Sequence, residues 1–85
     1  MAKTIRSTGQ VALCQALVDA RIKAGLSQKE LADKLRHHQS FVARVESGER
    51  RIDVVELIAL SRAIGFDPFE ILEIVKAATE PDHRI

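Results

Sequence analysis

Gln39, Ser40 and Arg44 are the residues whose types and spacing in this sequence could do recognisable chemistry. In the segment QSFVARVES they fall on one face of a short helix, and the two valines fall on the opposite face. A glutamine side chain can form two hydrogen bonds to adenine, an arginine can form two to guanine, and the methyl group of Ala43 can contact that of thymine. This face therefore suits hydrogen bonding to the edges of DNA bases.

A second short amphipathic segment precedes this helix and must position it. Residues 26–48 read LSQKELADKLRHHQSFVARVESG, in which only Arg36, His37 and His38 separate two helical patterns. A connection this short predicts that the helices meet at a sharp angle instead of lying side by side. The N-terminus of the second helix then offers unpaired N–H groups and the positive end of its dipole to a phosphate.

Helical periodicity and helix-end signals predict five helices and no strand. Three helix starts combine an N-cap residue with a carboxylate three positions later, which is the pattern of a capping box: Ser27 with Glu30, Asp53 with Glu56, and Asp67 with Glu70. Glycines at positions 25, 48 and 65 are expected to end helices in the left-handed conformation. The predicted fold class is a compact all-α, five-helix domain.

The predicted elements divide the chain into three parts. Residues 1–7 lack periodicity and are expected to form a mobile arm, and residues 79–85 are expected to form a frayed tail. Between them, residues 8–78 form the domain. Its predicted helices span about 8–24, 28–35, 39–47, 54–64 and 68–78.

The size of the chain disfavours an enzyme. A domain of 85 residues buries only about 60% of the surface that its unfolded chain exposes. No Ser/His/Asp or paired-carboxylate arrangement has a pocket to work in, and Glu30, Glu56 and Glu70 are explained as helix caps. We therefore expect a binding module that has no catalytic activity and no cofactor.

Charge is distributed unevenly along the chain, although the net charge is only +1. Residues 1–51 contain ten basic and five acidic residues, a balance of +5, whereas residues 52–85 contain three basic and seven acidic ones, a balance of −4. A cation-rich half suits a polyanion, and an acidic half discourages non-specific wrapping. Ordinary solvated helix surfaces produce similar imbalances, so charge alone does not decide between the two interpretations.

Cysteine usage is compatible with a reducing compartment. The single cysteine, Cys14, cannot form an internal disulfide, and no Cys/His spacing typical of a zinc site occurs. The start of the chain only faintly resembles a signal peptide, because Gln15 and Asp19 interrupt its apolar run. No segment is long enough to span a membrane. The expected location is the cytoplasm, in association with the nucleoid.

Three motifs taken together resemble a known family. They read G-L-S-Q-x-x-L-A from residue 25, Q-S-F-V-A-R-V-E-S-G-E-R from residue 39, and A-I-G-F-D-P from residue 63. In this order, residues 26–72 are similar to the helix-turn-helix domain of the Cro and lambda-repressor type, found in XRE-like transcriptional regulators. The base-reading positions of that family fall on Gln39, Ser40 and Arg44, which with Ala43 make up the predicted reading face.

The resemblance also implies contacts outside the reading face. Gln28 falls on the family's phosphate contact, and the basic turn Arg50-Arg51 matches its backbone-contacting loop. Further phosphate contacts are expected from Lys29, His38 and Ser47. The family places an arginine four residues before the glycine that begins the first motif, here Gly25. That arginine pairs with a glutamate at the end of the reading helix. An ion pair between Arg21 and Glu46 is therefore expected.

The turn between the two helices departs from the family pattern. The family usually has glycine after the first helix and Ser or Thr before the second, whereas this chain has Arg36 and His38. If Arg36 adopts the left-handed conformation, the strain is roughly 1–2 kcal/mol. His38 is also a poor N-cap compared with Ser or Thr.

The fifth helix has more apolar residues than one buried face requires. Its two stripes are Phe69, Leu72 and Val75, and Ile71, Ile74 and Ala78. The second stripe is expected in water unless a partner covers it, and we predict a homodimer interface formed by Ile71, Ile74, Val75 and Ala78. The alternative is that the first helix or the arm covers it. A homodimer would place two reading helices about 34–36 Å apart on a pseudo-palindromic operator.

These observations predict a sequence-specific regulator that binds double-stranded DNA as a homodimer and acts as a repressor or autoregulator. Two alternatives keep the same fold. In one, the chain is an antitoxin or other protein-binding module whose apolar stripe covers a toxin. In the other, it is the controller of a restriction-modification system.

Overall fold

The computed structural model describes residues 7–84, and within this range five α-helices and no strand are present. The helices are α1 (Thr8–Lys23), α2 (Gln28–Leu35), α3 (Gln39–Ser47), α4 (Val54–Ile64) and α5 (Pro68–Ala78). The predicted all-α, five-helix fold is therefore confirmed. Residues 1–6 of the predicted arm lie outside the described residues, and the last of its residues, Ser7, is the N-cap of α1.

Local capping fixes where α2 and α4 begin. Ser27 accepts a hydrogen bond from the N–H of Glu30 at 3.0 Å, and the Glu30 carboxylate accepts one from the N–H of Ser27 at 2.8 Å. Asp53 and Glu56 make the same reciprocal pair at 2.7 and 3.0 Å. The capping boxes predicted for α2 and α4 are confirmed, and each satisfies N–H groups that have no partner inside the helix.

The capping box predicted for α5 is wrong. The Asp67 carboxylate accepts from the N–H of Phe69 at 2.9 Å, one residue earlier than a capping box requires. The N–H of Glu70 instead donates to the backbone carbonyl of Asp67 at 3.0 Å. The ψ angle of Asp67 is 115°, against 166° and 178° at the other two caps, so its side chain leaves the backbone in a different direction.

One apolar core joins all five helices. Leu31 is 2% exposed and Leu60 is 4% exposed, and they are buried together with Leu17, Val42, Val45, Leu57 and Ile71. Burying one such side chain contributes roughly 1.5–3 kcal/mol. Within the core, α1 packs against α5 and α3, and α2 packs against α3 and α4. The two helices of the turn motif are thus held against α1 on one side and α4 on the other.

The N-terminal end of α1 contacts the C-terminal end of α5. The Thr8 hydroxyl donates to the carbonyl of Ala78 at 2.6 Å, and a Cβ atom on Gly9 would collide with the Thr79 hydroxyl. That hydroxyl donates to the carbonyl of Val75 at 2.7 Å. This contact lays α5 along α1 and decides which face of α5 is buried.

The packing of α5 corrects the predicted interface. Ile71 is 4% exposed and belongs to the core, so it cannot supply surface to a partner, and Val75 packs partly buried against the same core. Ala78 is half-buried, and Ile74, at 49% exposed, lies beside α1. The most exposed apolar side chain of α5 is instead Phe69, at 73%. Periodicity identified two stripes correctly but could not show which one α1 covers.

Candidate nucleic-acid interface

The outer face of α3 presents the predicted reading residues. Gln39, Ser40 and Arg44 are exposed, Ala43 is half-buried, and the opposite side of the helix is buried in the core. Ser47 is exposed at the C-terminal end, where its hydroxyl donates to the carbonyl of Arg44 at 3.2 Å. The structure therefore brings the four predicted reading residues together on one helix with their side chains outward.

The turn before α3 is left-handed at a residue that is not glycine. Arg36 has φ 55° and ψ 47°, and among the described residues it is the one non-glycine with positive φ. The N–H of His37 donates to the carbonyl of Ala32 at 2.9 Å, as in a glycine-ended helix. The turn thus keeps the glycine geometry, at a strain of about 1–2 kcal/mol.

Replacing Arg36 by glycine is expected to stabilise the fold. Relief of the left-handed strain is partly offset because glycine makes the unfolded chain more flexible, so we expect a net gain of about 0.5–1 kcal/mol in unfolding free energy by urea denaturation. Arg36→Ala removes the same side chain but keeps Cβ, and should bring no such gain. An equal gain in both variants would show that the guanidinium, not the backbone, is unfavourable.

The start of α3 has no side-chain cap. His38 occupies the N-cap position without bonding to the helix N–H groups. Its own N–H donates to Nδ1 of His37 at 2.9 Å. The N–H of Phe41 donates to the carbonyl of His38 at 3.0 Å, so the N–H groups of Gln39 and Ser40 are the ones able to bind an anion, beside the exposed His38.

An ion pair fastens the C-terminal end of α3 to α1. Nε of Arg21 donates to Oε2 of Glu46 at 2.6 Å, and its second contact, from Nη2 to Oε1, is 3.1 Å long. Nη1 of Arg21 donates to the carbonyl of Leu26 at 2.8 Å. The two side chains are only 13% and 8% exposed. The predicted pair is present, and the family resemblance was the signal that located it.

Gln28 has a partner that the sequence did not predict. Its Nε2 donates to Oε1 of Glu46 at 2.9 Å, so Gln28 is bound to the buried ion pair. An amide nitrogen carries two N–H donors, which leaves one for a phosphate. The phosphate contact predicted for Gln28 would therefore be made by the second N–H of an amide group that Glu46 already holds in place.

Arg50 lies in the loop after α3, and its guanidinium binds a carboxylate. Nη1 and Nη2 donate to the two carboxylate oxygens of Glu56 at 3.0 and 2.8 Å, and Nη1 also donates to the carbonyl of Arg51 at 2.7 Å. The guanidinium carbon lies 4.8 Å from the centre of the Phe41 ring. The sequence assigned Arg50 only to phosphate and Glu56 only to a helix cap, and no local pattern joins them.

Phe41 is stacked on the turn. The rings of Phe41 and His37 have centres 4.1 Å apart and planes inclined by 24°, and Phe41 packs partly buried against the core. Helical spacing alone leaves two positions open for Phe41, under the turn or out against DNA, and the structure supports the first. Spacing could not decide this, because the contact joins the turn to the helix in three dimensions.

The ion pair of Glu56 predicts a pH dependence of stability. Hydrogen bonds from Arg50, and then from the N–H of Asp53, hold the pKa of Glu56 below its usual value, and the bond to Glu56 raises the pKa of Arg50. Because the folded pKa is depressed, the contribution to stability is fully present above the unfolded value of about 4.3, and is lost as pH falls through the folded pKa.

The matched comparison is Glu56→Gln, which keeps an acceptor for the helix cap. We expect the wild type to be more stable than this variant near neutral pH, and the difference in unfolding free energy to shrink as pH falls below about 4. Urea denaturation at a series of pH values measures it. A difference that stays constant down to pH 3 would contradict the account.

The remaining predicted phosphate contacts are exposed. Nζ of Lys29 lies 3.2 Å from the Asp33 carboxylate, with both side chains largely in solvent. Arg51 is exposed in the loop that follows α3.

Within residues 7–84 we find neither a helix long and apolar enough to cross a bilayer nor a cluster of side chains suited to a metal ion.

Comparison with known proteins agrees with this geometry. A family model described as "Helix-turn-helix" matches residues 17–71, which is more than half of the chain and includes α2, the turn and α3. The chain belongs to the helix-turn-helix family. A solved structure described as an XRE-family like protein from Pseudomonas syringae pv. tomato is 45% identical to it. The match covers 92% of this chain and 95% of that one, with a TM-score of 0.79.

A second solved structure shares the fold. The clp gene regulator ClgR from C. glutamicum is 22% identical, with a TM-score of 0.74 over 87% of this chain and 96% of that one. No curated protein matches the chain significantly. The predicted membership of the XRE-like helix-turn-helix family is confirmed, and the domain is a DNA-binding domain of this type.

Proposed function

We propose that this helix-turn-helix domain binds double-stranded DNA sequence-specifically as a small transcriptional regulator, with α3 in the major groove. The observation that carries the proposal is the outward face of α3, where Gln39, Ser40 and Arg44 project from a helix whose far end is held to α1. Glutamine and arginine are the side chains that pair bidentately with adenine and guanine. Ala43, half-buried between them, suits a thymine methyl.

Phosphate contacts on both sides of α3 would set its register on the duplex. The open N–H groups beside His38 suit one phosphate. We propose that Gln28 and Lys29 contact the backbone from α2, and that Ser47 and Arg51 do so from the other end. Such contacts position the protein without reading sequence.

Selection of binding sites from random duplexes tests this function. At one stated salt concentration, the purified protein is expected to enrich a defined motif, because the reading face discriminates bases by about 1–3 kcal/mol for each good bidentate pair. The control is the triple variant Gln39→Ala, Ser40→Ala, Arg44→Ala, which should enrich nothing. Recovery of random sequences by the wild type would refute the proposal.

We propose that the protein acts as a homodimer through an α4–α5 apolar patch, defined as Val54, Val55, Phe69 and Leu72. These side chains are 70%, 76%, 73% and 44% exposed, and Val54 and Leu72 line the same cleft between α4 and α5. Phe69 lies three residues before Leu72 on the same face of α5, and a contiguous exposed apolar patch is typical of an interaction site. This patch replaces the interface predicted from periodicity, because Ile71 is buried.

Leu72→Glu is expected to convert the protein to a monomer in sedimentation velocity and to weaken binding to a pseudo-palindromic site, since a charge at the patch must be desolvated on association. The matched control is Ile74→Glu, which places the same charge on an apolar residue of α5 that is 49% exposed beside α1. If Ile74→Glu dissociates the dimer and Leu72→Glu does not, the interface lies on the α1 side.

The same patch favours a second candidate, a protein-binding module such as an antitoxin. In that case the purified chain would be a monomer, it would associate only with the product of a neighbouring gene, and Leu72→Glu would abolish that association. Under the primary proposal the chain is a self-sufficient repressor or autoregulator in the cytoplasm. Repression of a reporter carrying its own upstream DNA tests that role.

A further inference from the structure

We propose that Arg50, Glu56 and Phe41 form a clamp that positions the start of the reading helix, so that they set sequence discrimination without contacting DNA. The proposal rests on the proposed DNA-binding function and changes one part of it. Arg50, which the family pattern assigns to phosphate, becomes a positioning residue.

The start of α3 has little to hold it locally. The helix has nine residues, shorter than the roughly 12–15 residues at which an isolated helix becomes even marginally stable in water. Its N-cap residue, His38, makes no capping bond, and the preceding turn is strained at Arg36. The ion pair of Arg21 and Glu46 holds only the far end. The first turn, which carries Gln39 and Ser40, must be fixed by tertiary contacts.

Val42, which is 2% exposed, packs into the core, and Phe41 supplies the contacts that reach the turn and the following loop. Phe41 lies in the first turn of α3, its ring stacks on His37 from the preceding turn, and the Arg50 guanidinium from the following loop lies 4.8 Å from the ring centre. Stacking and cation–π contacts each prefer a restricted geometry. One aromatic ring therefore ties the turn, the reading helix and the following loop together.

Glu56 anchors the other side of the clamp. Its carboxylate is already held at the start of α4 by the N–H of Asp53 at 3.0 Å, and it binds Arg50 through both oxygens. Bidentate pairing of arginine with a carboxylate fixes the plane of the guanidinium. The guanidinium that faces Phe41 is thus fixed relative to α4, and α4 belongs to the core.

The same bonds oppose a phosphate role for Arg50. Three of the five guanidinium hydrogens are used: Nη1 donates to the Arg51 carbonyl and to Glu56, and Nη2 donates to Glu56. A phosphate would have to compete with a carboxylate that is already paired bidentately, and the charge of Glu56 would repel it. The charge of Arg50 is therefore already paired, and the position of its guanidinium against Phe41 is set by Glu56.

The experiment uses the full chain and three variants, Arg50→Gln, Glu56→Gln and Phe41→Leu. The charge-matched control is Arg62→Gln, an exposed arginine in the last turn of α4. Dissociation constants are measured for the selected duplex and for duplexes with each base pair changed, over a series of salt concentrations.

Discrimination is the dissociation constant of a changed duplex divided by that of the selected duplex. For each clamp variant we expect this ratio to fall about 5- to 10-fold at the bases read from the first turn of α3, a part of the cost of one mismatched base pair. For Arg50→Gln, the slope of log affinity against log salt should match that of Arg62→Gln, which removes the same charge. The double variant Arg50→Gln, Glu56→Gln should be no worse than either single variant, because both remove one unit.

A phosphate contact by Arg50 gives the opposite pattern and would overturn the proposal. Arg50→Gln would then weaken all duplexes alike and reduce the salt slope by about 0.9, and Glu56→Gln would strengthen binding to all duplexes by freeing the guanidinium.

A measurement without DNA separates this proposal from the proposed function. Amide hydrogen exchange at Phe41, whose N–H donates to the carbonyl of His38 at 3.0 Å at the start of α3, should be at least about fivefold faster in Arg50→Gln than in Arg62→Gln, since the clamp limits local opening. If the wild type does not discriminate between duplexes, the proposed function fails, and the exchange rates still decide the clamp. Equal exchange in the two variants overturns it.

Discussion

Replacing Arg21 by methionine is expected to lower the free energy of unfolding by about 3 kcal/mol, the largest effect of any single substitution proposed for this domain. The change leaves the Glu46 carboxylate, whose side chain is 8% exposed, with Gln28 as its remaining side-chain donor. It also removes the donor to the carbonyl of Leu26, in the turn between α1 and α2. Uncompensated charge in a poorly solvated position is what makes breaking such a pair costly.

Urea denaturation at neutral pH measures this loss, and for a domain of this size it corresponds to a fall of roughly 12–24 °C in melting temperature. The informative control is the double variant Arg21→Met, Glu46→Leu, which removes both charges and should recover much of the stability. If Arg21→Met costs less than about 1 kcal/mol, the pair is effectively solvated and does not hold α3 to α1.

Substituting Arg44 by alanine is expected to weaken binding to the selected duplex by about 1–3 kcal/mol and to relax preference at one base position. Arg44 is exposed at the centre of the outward face of α3, one helical turn beyond Ser40. Its carbonyl accepts from the N–H of Arg50 at 3.1 Å, a backbone bond that alanine keeps. The loss should therefore appear in binding and not in unfolding free energy, apart from a change within about 0.5 kcal/mol.

The matched variant is Arg51→Ala, which removes the same charge from the following loop. A phosphate contact there would weaken cognate and scrambled duplexes alike and would reduce the salt slope by about 1. Equal loss on both duplexes for Arg44→Ala would mean that Arg44 contributes charge only, and would remove it from the reading face.

Arg21→Met and Arg44→Ala distinguish residues that hold α3 in place from residues that contact bases. Arg21 and Glu46 hold the C-terminal end of α3 to α1, while Arg44 faces away from the protein. In the proposed account, reading bases depends on a short helix that is fixed at both ends, because a misplaced helix presents correct side chains in the wrong positions.

The helices were predictable because their ends are encoded locally. Ser27 and Asp53 cap α2 and α4 through residues three positions away, and the bounds predicted for those helices agree with the structure. The cap at Asp67 was mispredicted because it depends on the backbone angle of that residue, which residue type does not specify. Local chemistry predicts that a helix starts there, but not which N–H the cap bonds.

The contacts between helices were less predictable. The Arg21–Glu46 pair was found only through family resemblance, since the two residues are 25 positions apart. Ile71 was assigned to an exposed stripe because periodicity shows which residues share a face, and not which face α1 covers. The stack of Phe41 with His37, and the bond of Arg50 to Glu56, follow from the packing of α3 against its neighbours.

The central claim, that this domain reads DNA sequence through α3, is tested most directly by one ratio. Fluorescence anisotropy at about 150 mM salt measures the dissociation constants of the wild-type protein for its selected duplex and for a scrambled duplex of equal length and composition. We predict that the selected duplex binds at least about 10³-fold more tightly, as expected for specific recognition. A ratio near one would contradict the account, because it would leave only the sequence-independent attraction of basic residues to phosphate.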